Sequence, residues 1–314
     1  MAPTGKLSRS RRTLSDVATI APVREALANF AETMTATLDS LLPQPIGPQS
    51  RLFEAMRYAA LANGKFLRPY LVRTSAAMFD VPETQYLRAG AAVEMVHTYS
   101  LIHDDLPAMD DDDMRRGRPS CHKAFDEATA ILAGDALLTL SFEVLAGAEI
   151  HPDAQVRSDL VAALAMRAGG AGMLGGQVID LESEHADVGA DLIARLETMK
   201  TGALIAFSTA AGGTLGKAGA DAVKTLETFG FELGLAFQIT DDLLDVEGDE
   251  DDVGKKVGKD AEAGKATFVS ALGVDGARRE ARQLTDRALS RLDPFGGRAD
   301  ELRAAAEFVL ARNS

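Results

Sequence analysis

The chain has 314 residues, and its 33 basic and 47 acidic residues give a net charge of -14, which argues against nucleic-acid binding, since that function normally requires a basic surface. The single cysteine, Cys121, excludes an internal disulfide and a cysteine-based zinc site. No apolar run approaches the roughly 20 residues of a membrane span, so a soluble cytoplasmic protein without a membrane partner is expected. The apolar residues are mostly Ala and Leu, which predicts an all-α fold.

Residues 1–21 predict a short disordered tail, and residues 22–314 predict one domain, because no linker divides them. Pro22 suits the first turn of a first helix, which ends near Leu42 before three prolines. The segment 169–177 is too rich in glycine for an ordinary helix, and plain helix packing and close approach to a ligand explain it equally well. Further helices are predicted at 51–63, 65–79, 82–104, 122–132, 134–149, 153–168, 189–200, 202–216 and 219–246, with two more near the C-terminus.

The helix over 82–104 has almost no polar face, and an acidic cluster from Asp104 to Asp110 ends it. A regular helix would place Asp104 and Asp110 about 120° apart. Pro107 prevents a regular helix here, so the chain can bulge and bring Asp110 beside Asp104. A carboxylate at the end of an apolar helix must be hydrated, ion-paired or metal-bound, because a bare buried charge is too unfavourable.

A second cluster, from Asp241 to Asp245, ends another apolar helix. Asp241 and Asp245 are four residues apart, so a helix places them about 40° from each other, where they repel unless a cation bridges them. Carboxylate oxygens suit Mg²⁺ or Mn²⁺. One such cluster alone reads equally well as a solvated acidic turn, whereas two of them favour a metal-diphosphate site.

Basic residues accompany these clusters. Arg115 and Arg116 directly follow the first acidic run, and His97 lies two turns before it. Such residues usually form surface ion pairs that contribute little to stability. Lys65 and Arg68, however, are expected on one face at the start of a helix, where the helix dipole also favours phosphate. The basic residues in the second half are Lys200, Lys255 and Lys265.

Together these motifs resemble the trans-isoprenyl diphosphate synthases, and the match is best with the bacterial farnesyl diphosphate synthase branch. The resemblance covers about residues 25–312, with the motifs in the expected order and spacing. A single Asp motif would be weak evidence, but the two together are highly specific. The segments that carry the resemblance are 64–69, 97–113, 114–117, 175–177, 200–202 and 237–245.

The resemblance implies an isoprenoid-synthase fold, a homodimer, and two Asp motifs that face each other across a deep central cavity. Metal ligation of three Mg²⁺ ions, or of Mn²⁺, is implied for Asp104, Asp105, Asp110, Asp241 and Asp245, with Asp242 behind them. Contacts to the allylic diphosphate are implied for Arg115, Lys200, Thr201, Gln238 and Lys255. Contacts to isopentenyl diphosphate are implied for Lys65, Arg68, His97 and Arg116. Phe66 departs from the basic residue that is common at its position in the family.

The implied activity is trans-prenyl transfer, with the five metal-binding aspartates, Arg115 and Lys200 as the catalytic residues. The allylic C–O bond ionises with metal assistance, and the double bond of isopentenyl diphosphate attacks the cation. No side chain is an obvious base, so by family analogy the departing diphosphate takes the proton. The substrates are therefore small isoprenyl diphosphates.

Product length is implied by the helix before the first cluster. Tyr99 lies five residues before Asp104, about 7–8 Å along the helix axis, and Ser100 lies one turn before it. In the resembled family an aromatic residue at the position of Tyr99 stops growth at fifteen carbons, whereas small residues permit twenty or more. The expected product is (2E,6E)-farnesyl diphosphate, with geranylgeranyl diphosphate synthase as the alternative activity and plain core packing as the alternative role of Tyr99.

Two other classes fit the sequence less well. A terpene cyclase shares the carboxylate-magnesium chemistry but has no need of Lys65, Arg68 and His97 for a second diphosphate. A regulatory subunit of a heteromeric synthase typically loses part of one Asp motif, and both motifs are complete here. The acidic run from Asp249 to Asp252 reads equally well as a lid over the substrate or as solvated surface.

Overall fold

The structure is a computed structural model, and it describes residues 14–184, 188–247 and 266–311. Within these ranges the chain is helical apart from short connections and one two-stranded antiparallel hairpin, so the all-α prediction is confirmed. Lys255 and the acidic run from Asp249 to Asp252 lie outside the described residues, as does the first part of the predicted tail, residues 1–13.

The helices are α1 (Leu14–Leu41), α2 (Ser50–Ala60), α3 (Leu67–Ala77), α4 (Glu83–Asp104), α5 (Cys121–Ala124), α6 (Glu127–Ala146), α7 (Ala154–Ala168), α8 (Met173–Ser183), α9 (Ala190–Glu197), α10 (Ala203–Leu215), α11 (Ala220–Glu247), α12 (Phe268–Arg291) and α13 (Asp300–Ala311). Strands β1 (Met114–Arg115) and β2 (Arg118–Pro119) form the hairpin, with Arg115 opposite Arg118. A π-helical turn (Thr198–Gly202) joins α9 to α10, and a 3-10 helix (Asp293–Ala299) precedes α13.

Helix α4 is the central element, as the sequence predicts. Residues 89–96 are all buried, whereas a helix on the surface would expose a residue every turn. Helices α1, α2, α3, α6 and α10 pack around it. The only charged side chain in that buried run is Glu94. Because α4 ends at Asp104, this packing fixes the position of the first acidic cluster.

A smaller apolar cluster fixes the second acidic cluster. Its buried members include Ile193 of α9, Ile239 of α11 and Leu284 of α12, and they join these three helices. Helix α11 runs without interruption through Asp241 and Asp245, close to the predicted bounds of 219–246. The core therefore holds the face of α11 that carries the second cluster in a fixed orientation.

The first helix begins earlier than the sequence suggests. Helix α1 starts at Leu14, and Pro22 lies inside it rather than in its first turn. A proline within a helix removes one backbone hydrogen bond and kinks the helix, but it does not always end it. The described part of the predicted tail, residues 14–21, is thus helical.

Helix α6 replaces two predicted helices. The sequence places a break near Gly134, yet α6 runs unbroken from Glu127 to Ala146. A Cβ atom at Gly134 would lie 2.2 Å from Nε2 of His103, so this glycine allows α4 and α6 to cross closely. By length and composition α6 is also apolar enough to cross a membrane, which the sequence analysis did not predict. In this structure 39% of its most apolar window is buried, and the helix packs against α2, α4 and α7.

Candidate active site

The first acidic cluster folds back on itself at the end of α4. The backbone amide of Asp110 donates to the carbonyl of Asp104 at 2.8 Å, and the amide of Met109 donates to the carbonyl of Leu106 at 2.9 Å. Pro107 lies at the exposed part of this loop, where no regular helix forms. The structure therefore contains the predicted bulge, and Asp110 is a neighbour of Asp104 although six residues separate them.

Burial and neighbouring charges determine the electrostatics of Asp104. Burial raises the pKa of Asp104 to about 6; Lys200 opposes this shift, and the negative charge of Asp110 adds to it. Two carboxylates held this close repel each other unless a cation lies between them. Hard divalent cations such as Mg²⁺ prefer carboxylate oxygens of this kind. The donor set at Asp104 and Asp110 therefore fits a magnesium ion.

Asp105 is engaged differently from its neighbours. It is 2% exposed, and Nε of Arg115 donates to its two carboxylate oxygens at 3.0 and 3.3 Å. Nη2 of Arg115 also donates to Asp105 and lies 3.3 Å from Asp112. Burial raises the pKa of Asp105, and the guanidinium of Arg115 lowers it. Asp105 thus holds Arg115, which lies on β1, beside the first cluster.

Lys200 lies between the first cluster and the second half of the chain. Its ammonium pairs with Asp180 of α8. Burial lowers the pKa of Lys200, but the carboxylates of Asp180, Asp104 and Asp110 outweigh this and raise it. Lys200 belongs to the π-helical turn, a feature that is frequent at functional sites. This lysine therefore faces the carboxylates of the first cluster while α8 holds it in place.

The glycine-rich segment has a packing role. Helix α8 forms through Gly175 and Gly176, contrary to the expectation that no ordinary helix occurs there. A Cβ atom at Gly176 would lie 2.3 Å from the backbone nitrogen of Lys200. Of the two explanations that the sequence left open, close packing is therefore the one observed, and it brings α8 against the turn that carries Lys200.

The second acidic cluster faces the same turn. Gln238, Asp241 and Asp245 follow each other at helical spacing along one face of α11. The hydroxyl of Thr201 donates to Oε1 of Gln238 at 3.3 Å, so this face borders the Lys200–Thr201 segment. Asp241 and Asp245 are half-buried there. The two clusters thus approach the Lys200–Thr201 segment from opposite parts of the chain.

Asp242 is held by the core rather than by the site. It is 4% exposed, Nε2 of Gln238 donates to its Oδ1 at 3.1 Å, and the amide of Phe268 donates to its Oδ2 at 2.9 Å. These bonds tie α11 to the start of α12. The position is consistent with a residue that lies behind the metal ligands.

The sequence analysis did not identify two acidic residues of this region. Asp180 is the partner of Lys200, and Glu197 accepts a hydrogen bond from Thr201 at 3.2 Å. Burial and the nearby charge of Asp242 raise the pKa of Glu197 to about 8. In the sequence, Asp180 is marked only by its position after the glycine pair, and Glu197 only by its position before Lys200. Such spacing does not distinguish a carboxylate of a functional site from one on the protein surface.

A second group of cationic residues lies beside Arg116. Nη2 of Arg116 is 3.4 Å from Oε1 of the buried Glu94, and Nη1 lies 3.5 Å from the carbonyl oxygen of Ala62. Burial lowers the pKa of His97 well below its usual value, and the positive charges of Arg68 and Arg116 lower it further. The charges of Arg68 and Arg116 therefore act on His97, and the contact of these three residues with isopentenyl diphosphate stays a prediction.

Lys65 and Arg68 do not share a helix face, so that prediction is wrong. Helix α3 begins at Leu67, and the residue before it, Phe66, has a left-handed backbone with φ of 45°. Phe66 is 4% exposed and belongs to the hydrophobic core. Lys65 is exposed in the preceding loop, next to Gly64. Phe66, which stands where the family commonly has a basic residue, thus packs in the core.

Tyr99 lies on the buried side of α4, one turn before the first cluster. It is 3% exposed, and its hydroxyl is buried without a hydrogen-bond partner among the described residues. Burial and the charge of Asp104 raise its pKa to about 12. Its ring meets that of His103 edge-on, with centroids 5.7 Å apart. Ser100 donates to the carbonyl of His97 at 2.9 Å and therefore faces its own helix.

A further group of possible metal ligands lies next to the first cluster. Carboxylate oxygens of Asp111 and Asp113 and a ring nitrogen of His122 lie within 4.8 Å of one another. Asp113 is already paired with Lys123 at 2.8 Å, and both aspartates are exposed. The neighbouring Cys121 is buried, and burial raises the pKa of its thiol to about 12, as expected for an unreactive cysteine.

Comparison with known proteins identifies the family. Residues 49–301 match the polyprenyl synthetase family. The chain is 45% identical over 266 residues to the farnesyl diphosphate synthase of Escherichia coli (strain K12), covering 83% of this chain and 89% of that protein. It superposes on an FPP/GFPP synthase from Zymomonas mobilis with a TM-score of 0.83 and 43% identity, covering 94% of this chain and 99% of that one.

A third similar protein was solved with ligands. A geranyltransferase from Helicobacter pylori, complexed with magnesium and isoprenyl diphosphate, superposes with a TM-score of 0.78 and 32% identity, covering 92% of this chain and 97% of that chain. The family match spans most of the chain and includes both acidic clusters and both groups of cationic residues. The chain therefore belongs to the polyprenyl synthetase family.

Proposed function

We propose that this protein is a trans-prenyltransferase that condenses isopentenyl diphosphate with dimethylallyl or geranyl diphosphate to give farnesyl diphosphate. The observation that carries the proposal is the presence of two separate cationic groups along the C-terminal half of α4. One contains Arg115 and Lys200 beside paired carboxylates, and the other contains Arg68 and Arg116 without them. This arrangement suits two anionic substrates, one that binds together with metal ions and one that binds without them.

The first group would bind the allylic diphosphate. Asp104 and Asp110, with Asp241 and Asp245 of α11, would hold magnesium, and three ions or Mn²⁺ would suit this number of carboxylates. Asp105 completes the set of five, although in this structure its oxygens accept hydrogen bonds from Arg115. Magnesium, when bound, would supply positive charge that stabilises the departing diphosphate.

The residues of the chain would orient that diphosphate and stabilise its charge. Arg115 and Lys200 are held by Asp105 and Asp180, so their charged groups are in place before the substrate binds. Thr201 and Gln238 would donate hydrogen bonds from the opposite side, and Lys255 would add a further charge from the segment outside the described residues. This preorganised positive charge lowers the barrier to heterolysis of the allylic C–O bond.

The second group would bind isopentenyl diphosphate through Lys65, Arg68, His97 and Arg116. Its double bond then attacks the allylic carbon, so one carbon–carbon bond forms while the electron pair of the broken C–O bond stays with the leaving diphosphate. A proton is lost from the new chain, and by family analogy the leaving diphosphate would accept it. Holding both substrates on α4 supplies the proximity that the reaction needs.

Product length would be set by Tyr99. Its buried ring lies one turn below Asp104. There it would block a growing chain and limit the product to fifteen carbons. The alternative activity is synthesis of geranylgeranyl diphosphate, which would require the Tyr99 ring to adopt another rotamer that lets the chain pass.

The proposal also includes a homodimeric assembly and a cytoplasmic location. A homodimer is supported by the large apolar side chains Ile131 and Leu132 of α6, which are 43% and 56% exposed. The net charge of -14 disfavours nucleic acid and anionic membrane surfaces as partners. We therefore place the protein in the cytoplasm.

The experiment is a condensation assay with purified protein, Mg²⁺, isopentenyl diphosphate and geranyl diphosphate, in which inorganic diphosphate is measured. Release is expected only when both substrates and Mg²⁺ are present. Asp104→Asn should lower kcat by about a hundredfold or more, since it removes a ligand that acts in the transition state. Asp135→Asn, an exposed carboxylate on α6, is the matched control and should leave kcat unchanged. No condensation with any allylic primer would contradict the proposal.

A further inference from the structure

Glu94 is the one charged side chain in the fully buried part of α4. It is 2% exposed, and burial raises its pKa while the charges of Arg116 and Arg68 lower it. A buried carboxylate that keeps its charge must have cationic partners, and breaking such a pair is strongly unfavourable. Glu94 must therefore be understood together with the arginines that surround it.

Arg116 is restrained on several sides. Its Nη2 pairs with Glu94 at 3.4 Å and its Nη1 lies 3.5 Å from the carbonyl of Ala62. A Cβ atom at Gly64 would lie 2.9 Å from the same Nη1, so the guanidinium packs directly on that glycine. An arginine side chain has many rotamers, and contacts of this kind select one of them. The guanidinium of Arg116 is thus positioned in the protein itself.

Arg68 lies in the field of the same carboxylate. Its charge interacts favourably with Glu94 and unfavourably with Arg116. Its Nε is buried and has no hydrogen-bond partner among the described residues. A buried donor without an acceptor is rare and unfavourable, which indicates that an acceptor is supplied from elsewhere. An anionic ligand that reaches Arg68 would provide it.

A second carboxylate–arginine pair of the same kind occurs at the C-terminal end of α4. Asp105 holds Arg115, and Glu94, eleven residues earlier, holds Arg116. Eleven residues make about three helical turns, so both carboxylates lie on one face of α4, roughly 16 Å apart. Two consecutive arginines of the hairpin are thus each fixed by a buried carboxylate, one for each group of cationic residues.

We propose that Glu94 is a positioning residue for the second diphosphate site: it holds Arg116 in the orientation that binds isopentenyl diphosphate. The identity of that ligand rests on the proposed function. Glu94 does not touch the substrate, because its negative charge would repel a diphosphate. It acts through the guanidinium group of Arg116.

If Glu94 acted only through its negative charge, its removal would change the affinity for isopentenyl diphosphate in the opposite direction. If Glu94 only cancelled positive charge, its removal would strengthen the attraction between the site and an anion. If it positions Arg116, its removal weakens binding, because the diphosphate must then immobilise a mobile side chain. The direction of the change in affinity therefore decides between the two roles.

The first test is Glu94→Gln, measured by steady-state kinetics and by calorimetric titration of isopentenyl diphosphate into the enzyme without an allylic substrate. KM and Kd for isopentenyl diphosphate should rise by about tenfold, while KM for geranyl diphosphate changes less than about twofold. Glu94→Asp, which keeps the charge, should recover part of the affinity. Unchanged or tighter binding, or an equal rise in both KM values, would overturn the proposal.

The matched control is Glu227→Gln. Glu227 is a partly buried carboxylate of α11 that pairs with Arg167 and Lys224, so the chemical change is the same but the site is not touched. It should lower the melting temperature without changing either KM. If Glu94→Gln folds poorly, Gly64→Ala provides a second route, because the new methyl group displaces the end of the Arg116 side chain. It should produce the same selective loss of isopentenyl diphosphate affinity.

A double-mutant cycle tests the route of action. In an Arg116→Ala background, Glu94→Gln should weaken isopentenyl diphosphate binding far less than it does in the wild type. An equal loss in both backgrounds would show that Glu94 does not act through Arg116. The titration does not require turnover, so a wild-type protein that binds isopentenyl diphosphate but forms no product would refute the proposed function and leave the role of Glu94 to be judged by the titration.

Discussion

Tyr99, Asp104 and Asp105 lie within two turns of one helix, yet their surroundings differ sharply. Tyr99 is enclosed in the core, Asp105 is paired with an arginine, and Asp104 borders the loop that returns through Asp110. At the residue scale, these environments explain why neighbouring positions would take different roles in binding metal, holding a side chain and limiting product length.

The raised pKa of Asp104 leads to a prediction about metal binding. In the metal-free protein this carboxyl has a pKa of about 6 because it is buried, so below pH 6 a proton competes with the metal. Affinity for Mn²⁺, followed by electron paramagnetic resonance without substrate, should fall by about tenfold per pH unit below pH 6 and level off above pH 7. Asp104→Asn should bind weakly at every pH, and a flat profile for the wild-type protein would contradict the assignment.

Tyr99→Ala should lengthen the product. Removing the ring opens space one turn below Asp104, so chain growth is expected to continue from farnesyl toward geranylgeranyl diphosphate. The measurement is chromatography of the dephosphorylated products. Ser100→Ala serves as the comparison, because its hydroxyl only bonds back to the carbonyl of His97. An unchanged fifteen-carbon product from Tyr99→Ala would remove this residue from the length-setting role.

At the scale of elements, the site depends on how closely helices approach. Helix α8 touches the π-helical turn at Gly176, and that turn carries Lys200 and Thr201 toward both acidic clusters. A small shift of α8 would therefore move two residues of the allylic site together.

Gly176→Ala should test this contact. The added methyl group would lie 2.3 Å from the backbone nitrogen of Lys200, so the turn must move. Overpacking of this kind destabilises by about 2 kcal/mol, which corresponds to a fall of roughly 4 °C in melting temperature. KM for the allylic substrate should rise as well. Gly170→Ala is the control from the same segment, since a Cβ there meets nothing within 4 Å, and equal effects of both changes would exclude the packing explanation.

Several elements follow from local rules that act within a few residues. Pro107 predicts the loop that returns Asp110 to Asp104, and the spacing of Asp241 and Asp245 predicts their common face on α11. The central position of α4 follows from its lack of a polar face. The structure agrees with each of these because no distant contact is needed to produce them.

Other features depend on contacts between distant parts of the chain, which no local pattern reveals. The close crossing of α4 and α6 requires a glycine at Gly134, because a side chain there would collide with His103. The burial of Phe66 in the core likewise depends on residues far from it in the sequence. Glu94 and Asp180 gain their roles only from the arginine and lysine that fold against them. A charged residue in an otherwise apolar helix was the one available signal for Glu94.

At the scale of the whole molecule, α6 links the fold to assembly. It is among the most apolar helices of the described chain, yet less than half of its most apolar window is buried. Exposed apolar side chains such as Ile131 and Leu132 are common on surfaces that another protein chain covers. The proposed homodimer would provide that cover.

Leu132→Glu should therefore weaken dimerisation. Leu132 is 56% exposed on α6, and a charge there would be buried without a partner in a dimer. Light scattering coupled to size-exclusion chromatography should show the mass of a dimer for the wild-type protein and a shift toward the monomer for the variant. Leu192→Glu on α9, where the leucine is 39% exposed, is the control and should remain dimeric. A wild-type monomer would exclude the homodimer.

The central claim is that one cavity holds two isoprenyl diphosphates and joins them into a fifteen-carbon chain. The most direct measurement is the product formed from geranyl diphosphate and isotopically labelled isopentenyl diphosphate with Mg²⁺, identified by mass spectrometry after dephosphorylation. We expect farnesol that carries one labelled five-carbon unit. Recovery of geraniol alone, or of a cyclic terpene without label, would contradict the account.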